Sequence, residues 1–168
     1  MRVHAFTDDA LADLDAVGLA EHLAAGKVSA AEATEAAIAR IEAVNGELNA
    51  MAYAAYDRAR SDARNPRPGF LSGVPTLVKD NVDVAGMPTR SGTDAWEPRP
   101  ARRNGDFADM YLATGLVPLG KSQLSEYGFS ASAEHPRLGA VRTPWDTERT
   151  AGASSSRSEE HTSELQSH

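Results

Sequence analysis

Lys79 closes an apolar run, Gly73-Val74-Pro75-Thr76-Leu77-Val78-Lys79, and is followed by Asp80 and Asn81. A lysine in that place either bridges to an acid or sits desolvated. To serve as a base its amine must be uncharged near neutral pH, which requires its surroundings to disfavour the charged form by about 4 kcal/mol. Burial beside neutral hydroxyls does this, and an ionised Asp80 opposes it. If the strand persists, alternation sends the two side chains to opposite faces and the conflict does not arise. The second candidate is Thr150-Ala151-Gly152-Ala153-Ser154-Ser155-Ser156. By composition alone it is a small-residue linker. A serine hydroxyl there becomes useful only when a base holds it; small neighbours permit close backbone approach, and a neutral lysine amine can accept a hydroxyl proton.

These residues need elements to place them. Asp15 is a suitable N-cap for a short helix through Leu19 and Leu23, ended by Gly26. Ser29 and Glu32 form a capping box, and Ala33, Ala37, Ile38, Ile41 and Val44 then share one helical face. Asn45-Gly46 is the expected stop. A short strand over 48–54 and a helix from Tyr56 to Ala63 follow, up to the breaker Asn65-Pro66-Arg67-Pro68-Gly69. Beyond it, the run ending at Lys79 has strand length, Asp106 to Thr114 has helical spacing up to Gly115, and Leu116-Val117-Pro118-Leu119-Gly120 is a second buried strand. The alternation predicts an α/β fold, a sheet covered by helices. From Ser130 onward the chain is expected as loop.

Taken in order, the motifs resemble the amidase signature family. The run Gly73 to Asn81, then Gly120-Lys121-Ser122-Gln123-Leu124-Ser125-Glu126-Tyr127, then Thr143-Pro144-Trp145-Asp146 before the Ser loop follow that family's sequence of segments, over residues 5 to 156. The match is greatest to bacterial amidases that hydrolyse simple amides. The resemblance implies the amidase-signature fold, a mixed central sheet covered by helices, of which this chain is the N-terminal part. It implies a Ser-cisSer-Lys triad in which Lys79 is the general base and Ser154 the relay serine, with Ser155 supporting the relay and Tyr127, Gly128 and Phe129 beside the substrate pocket. Ala151, Ala153, Ser156 and Arg157 depart from the family's usual Pro and Gly at these places. The family's nucleophilic serine lies further downstream, outside these 168 residues, so the chain alone is expected to be inactive. The organisation expected is an N-terminal helical segment over 1–65, an α/β part carrying Lys79 and the Ser loop over 66–156, and a foreign, adapter-like tail over 157–168.

Bulk properties narrow the alternatives. A formal net charge of −7 leaves no basic surplus for phosphates or anionic lipid, so neither nucleic acid nor membrane is an expected partner. Cysteine is absent, which excludes thiol nucleophiles and fits a reducing cytoplasm. The first residues hold no apolar run of signal-peptide length. Trp96 and Trp145 are read as packing residues, Asp80 and Asp83 as solvated loop charges, and His4, His22 and His135 show no ligand spacing. No metal and no organic cofactor is implied. The expected partner is a small-molecule amide, and a homodimer of the full-length parent stays open. Two other functions also stay open: the amidase subunit of a Glu-tRNA(Gln)/Asp-tRNA(Asn) amidotransferase, and, from a different class, a non-catalytic helical interaction module.

Overall fold

The Asp15 carboxylate accepts a hydrogen bond from Gly18 N at 2.7 Å and so caps α1 (Ala16–Ala24). The computed structural model describes residues 1–135 and 137–153. In α2 (Ala30–Leu48) the capping box forms in both directions: Glu32 N donates to Ser29 Oγ at 3.2 Å, and Ser29 N donates to the Glu32 carboxylate at 2.8 Å. The helix does not stop at Asn45-Gly46. It runs on to Leu48 and ends where Asn49 takes the left-handed conformation, φ 53°. Asn45 acts as an anchor instead, its Oδ1 accepting from Ala50 N and Met51 N at 2.9 and 3.0 Å. Helical packing on the Ile38 face therefore outweighs the local turn signal.

Strand β1 (Met51–Ala54) leads into α3 (Tyr56–Arg64), then β2 (Pro75–Lys79), α4 (Asp106–Leu112) and β3 (Val117–Ser122). The sheet order is β1-β3-β2, antiparallel on one side of β3 and parallel on the other. This is the mixed sheet expected, with α4 lying in the crossover that a parallel pair requires. Leu77 packs with Ile38, Ala59, Ala63, Val117 and Leu119 under α2 and α3. Val78 packs with Val84, Met87, Ala108 and Leu112 toward α4. Neighbours on β2 thus serve opposite faces.

A bulge breaks this order on β3. Thr76 faces Pro118 but Val78 faces Lys121, so β3 carries one residue more than β2 across this stretch. Gly120 lies at the irregularity with φ 153°, and a Cβ on it would sit 2.1 Å from Tyr53 O on β1. The region after Ser130 is not the plain loop expected. Two short antiparallel pairs form, β4 (Glu134–His135) with β5 (Gly139–Ala140), and β6 (Arg142–Thr143) with β7 (Asp146–Thr150). All but β7 are two residues long, below the length at which alternation can be read from sequence. Among the described residues no helix is long and apolar enough to cross a membrane.

Candidate functional site

Lys79 is the last residue of β2, paired in register with Ser122 at the end of β3. Its side chain is partly buried, and loss of solvent pulls its amine below the ordinary lysine range. The strand ends here in a turn, Val82 N donating to Lys79 O at 3.1 Å. The backbone of Asp80 is held on both sides, its N–H on Ser122 O at 3.1 Å and its carbonyl accepting from Ser91 N at 2.9 Å.

Asp80 is not the solvated loop charge expected; Asp83 is exposed, as a solvated charge should be. Asp80 is 2% exposed, its Oδ2 accepts from Arg90 N at 3.2 Å, and its Oδ1 lies 3.8 Å from Lys121 Nζ. Lys121 is fully buried, donating to Val82 O at 2.6 Å and to Thr89 Oγ1 at 3.1 Å. Burial raises the Asp80 carboxyl to about 6, with Lys121 opposing that rise, and lowers the Lys121 amine, with Asp80 opposing. The pair is the buried charged feature that sequence reasoning passed over. Lys121 stands in one of the family-like motifs, but period-2 alternation from Val117 and Leu119 assigns it to their face. The bulge at Gly120 turns it to the face of Val78 and Asp80 instead.

Tyr127 and Gly128 follow β3 in a single 3₁₀ turn (Glu126–Gly128) that Phe129 caps, where Tyr127 has φ 52° and Gly128 φ 76°. Tyr127 N donates to Ser91 O at 2.8 Å, and Ser91 N is the donor to Asp80 O, so two backbone hydrogen bonds tie this turn to the residue after Lys79. Phe129 is 91% exposed, and Tyr127 leans on Trp96 with ring centroids 5.8 Å apart. Trp96 and Trp145 are both exposed rather than packed inside, Trp145 lying under the Arg2 guanidinium at 4.6 Å. Ser154 and Ser155, the expected relay and its support, lie outside the described residues.

His135 is buried for a local reason. Its Nδ1 accepts from Arg137 N and Leu138 N at 3.2 and 3.1 Å, while Nε2 faces Asp94 Oδ1 at 3.6 Å. This brings the β4–β5 pair against the segment before α4.

The geometry can therefore present one partly desolvated amine at a strand end, with the carboxylate of the next residue, Asp80, set against a second lysine. The Amidase family profile matches residues 32–158. Putative amidase AmiC of Mycobacterium leprae (strain TN) is 64% identical over 155 residues, 92% of this chain and 33% of that protein. A glutamyl-tRNA(Gln) amidotransferase subunit of Thermobifida fusca (strain YX) is 35% identical over 153 residues, 86% of this chain and 31% of that protein. Among solved structures, 6-aminohexanoate cyclic dimer hydrolase superposes with a TM-score of 0.79 at 33% identity, over 84% of this chain and 30% of that one. The chain thus spans about a third of the length of the relatives it matches.

Proposed function

The chain belongs to the Amidase family, and from that premise we propose that it is the N-terminal part of a serine-type amidase whose general base is Lys79. The observation that carries the reading is the Lys79 amine itself, at the carboxyl end of β2 and held by burial below the ordinary lysine range. A base must be neutral to accept a proton, and desolvation shifts the amine in that direction.

On this reading Lys79 takes a proton from Ser154, which takes one from a nucleophilic serine contributed by the rest of the full-length protein. The serine oxygen attacks the amide carbon; the carbon–nitrogen bond breaks as the proton returns to the leaving amine or ammonia, and water then releases the carboxylate. Ser155 steadies the relay, and Tyr127, Gly128 and Phe129 border the pocket. The backbone ties from Asp80 through Ser91 to Tyr127 support that last placement. This chain by itself lacks the nucleophile and is inactive. The substrate is a small linear carboxamide and the setting a reducing cytoplasm, the latter supported by the absence of cysteine. An amidotransferase role is the weaker alternative, because the relative of that description is 35% identical against 64% for the amidase-described one.

The test uses the full-length protein that contains this chain. Incubation with a panel of linear and cyclic carboxamides should release ammonia or amine without tRNA, and Lys79→Ala should lower the acylation rate by roughly 10²- to 10⁴-fold. Acylation at the parental rate in the Lys79→Ala protein overturns the base assignment.

A further inference from the structure

We propose that Lys121 is a positioning residue for the reaction at Lys79, fixing the turn on which that amine is carried; the proposal rests on the reading of Lys79 as base. Lys79 is the final residue of a strand, and nothing in a strand end by itself holds the backbone beyond it. Here the following turn is closed by Val82 N on Lys79 O at 3.1 Å, and Val82 is held in turn through its own carbonyl, which accepts from Lys121 Nζ at 2.6 Å. The same ammonium donates to Thr89 Oγ1 at 3.1 Å, joining the turn to the returning segment 88–91. Asp80 completes the lock: its Oδ1 lies 3.8 Å from Lys121 Nζ, while Oδ2 accepts from Arg90 N at 3.2 Å in that returning segment. One buried cation therefore sets three points around Lys79: the turn after it, the side chain beside it, and the segment that reaches Tyr127.

Two features argue that this serves geometry at the site and not only cohesion of the core. Lys121 reaches the turn only because the bulge between the Thr76 and Val78 pairings carries it to that face, and bulges recur where a side chain must be re-aimed near a site. The neighbouring Asp80 is also turned onto Lys121, so its charge is compensated by a second lysine.

The experiment is done on the full-length protein with a p-nitrophenyl ester, whose burst of nitrophenol counts competent active sites and gives a rate per site. Lys121→Met should lower the acylation rate per titrated site by roughly 10- to 100-fold with KM within about twofold, since small misplacements of a reacting group cost this much. Thr89→Val keeps the ion pair and removes one anchor of the ammonium, and should lower the rate per site by about 3- to 10-fold. A purely structural role would reduce the number of titrated sites and leave the rate per site unchanged. If Lys121→Met gives no folded protein, Thr89→Val decides: a per-site rate equal to the parent's overturns the proposal, and the stated loss upholds it. Lys79→Ala is measured alongside. A slow Lys79→Ala protein with parental rates in the other two variants overturns this inference alone, whereas a fast Lys79→Ala protein overturns the base reading beneath it.

Discussion

Lys121 Nζ lies 3.8 Å from Asp80 Oδ1, and both side chains are almost wholly removed from solvent. The carboxyl is pushed up to about 6 from an ordinary 3.8 because the cost of burying its charge exceeds what the lysine returns. A raised carboxyl favours the fold fully below its unfolded value and loses that contribution as pH climbs through the folded value. The window is thus pH 4 to 6, and its span is at most about 3 kcal/mol. In the full-length protein, Asp80→Asn should remove this dependence, so the melting-temperature difference between variant and parent should rise from pH 4 to pH 7. A difference that stays flat across that window would show that Asp80 is not buried as described.

Lys79 carries the opposite requirement. Its amine is lowered by burial, and only its neutral form can act. The rate constant kcat/KM of the full-length protein should therefore rise with pH and level off below the pH at which an exposed lysine titrates, roughly 10.4. Lys79→Arg, which stays charged, should abolish that limb and lower acylation by roughly 10²- to 10⁴-fold. The same limb persisting in the Arg variant would assign it to another group.

The parts legible in the sequence were those governed by local rules. Asp15 and Ser29 cap the helices they precede, and the apolar run ending at Lys79 is a strand with Lys79 at its end. What was not legible depended on pairing between distant segments. Whether Asp80 is solvated depends on what faces it, and the partner is a lysine some forty positions away turned inward by an extra residue in β3. A one-residue insertion inverts every side chain after it, and no period within a single strand reveals one. The overrun of α2 past Asn45-Gly46 has the same origin, because the Asn45 side chain finds its work in the entry to β1.

That role gives a third expectation. Asn45→Ala leaves two partly buried amides, Ala50 N and Met51 N, without their side-chain acceptor, at about 1–3 kcal/mol. Asn49→Gly keeps the left-handed backbone that ends α2 but loses the side-chain donations to Leu138 O and Ala140 O. Both variants should lower the melting temperature of the full-length protein. Asn45→Asp, which retains an acceptor at the same place, should lose clearly less than Asn45→Ala. Equal losses from Asp and Ala would mean that the side chain's acceptor plays no part.

Gly120 joins the fold to the site. Its φ of 153° is open to glycine and strained for other residues, and a Cβ there would stand 2.1 Å from Tyr53 O, well inside contact distance. Tyr53 is paired with Lys121, so the clash falls on the ladder that holds β1 against β3. The neighbouring obstacle is backbone, which cannot swing aside as a flexible side chain would. Gly120→Ala should therefore destabilise the protein by more than about 3 kcal/mol, the range reached when a core is overpacked and a special backbone geometry is lost together. The damage should also be directional. If the strands part to admit the methyl group, the bulge shifts, Lys121 leaves Val82 and Asp80, and the turn behind Lys79 loosens before the helical layer is disturbed. Amide hydrogen exchange of the full-length variant checks this: protection should fall at Asp80, Val82 and Ser91, while α2 keeps its parental protection. Uniform loss across sheet and helices would instead make Gly120 a determinant of global stability with no special bearing on the site.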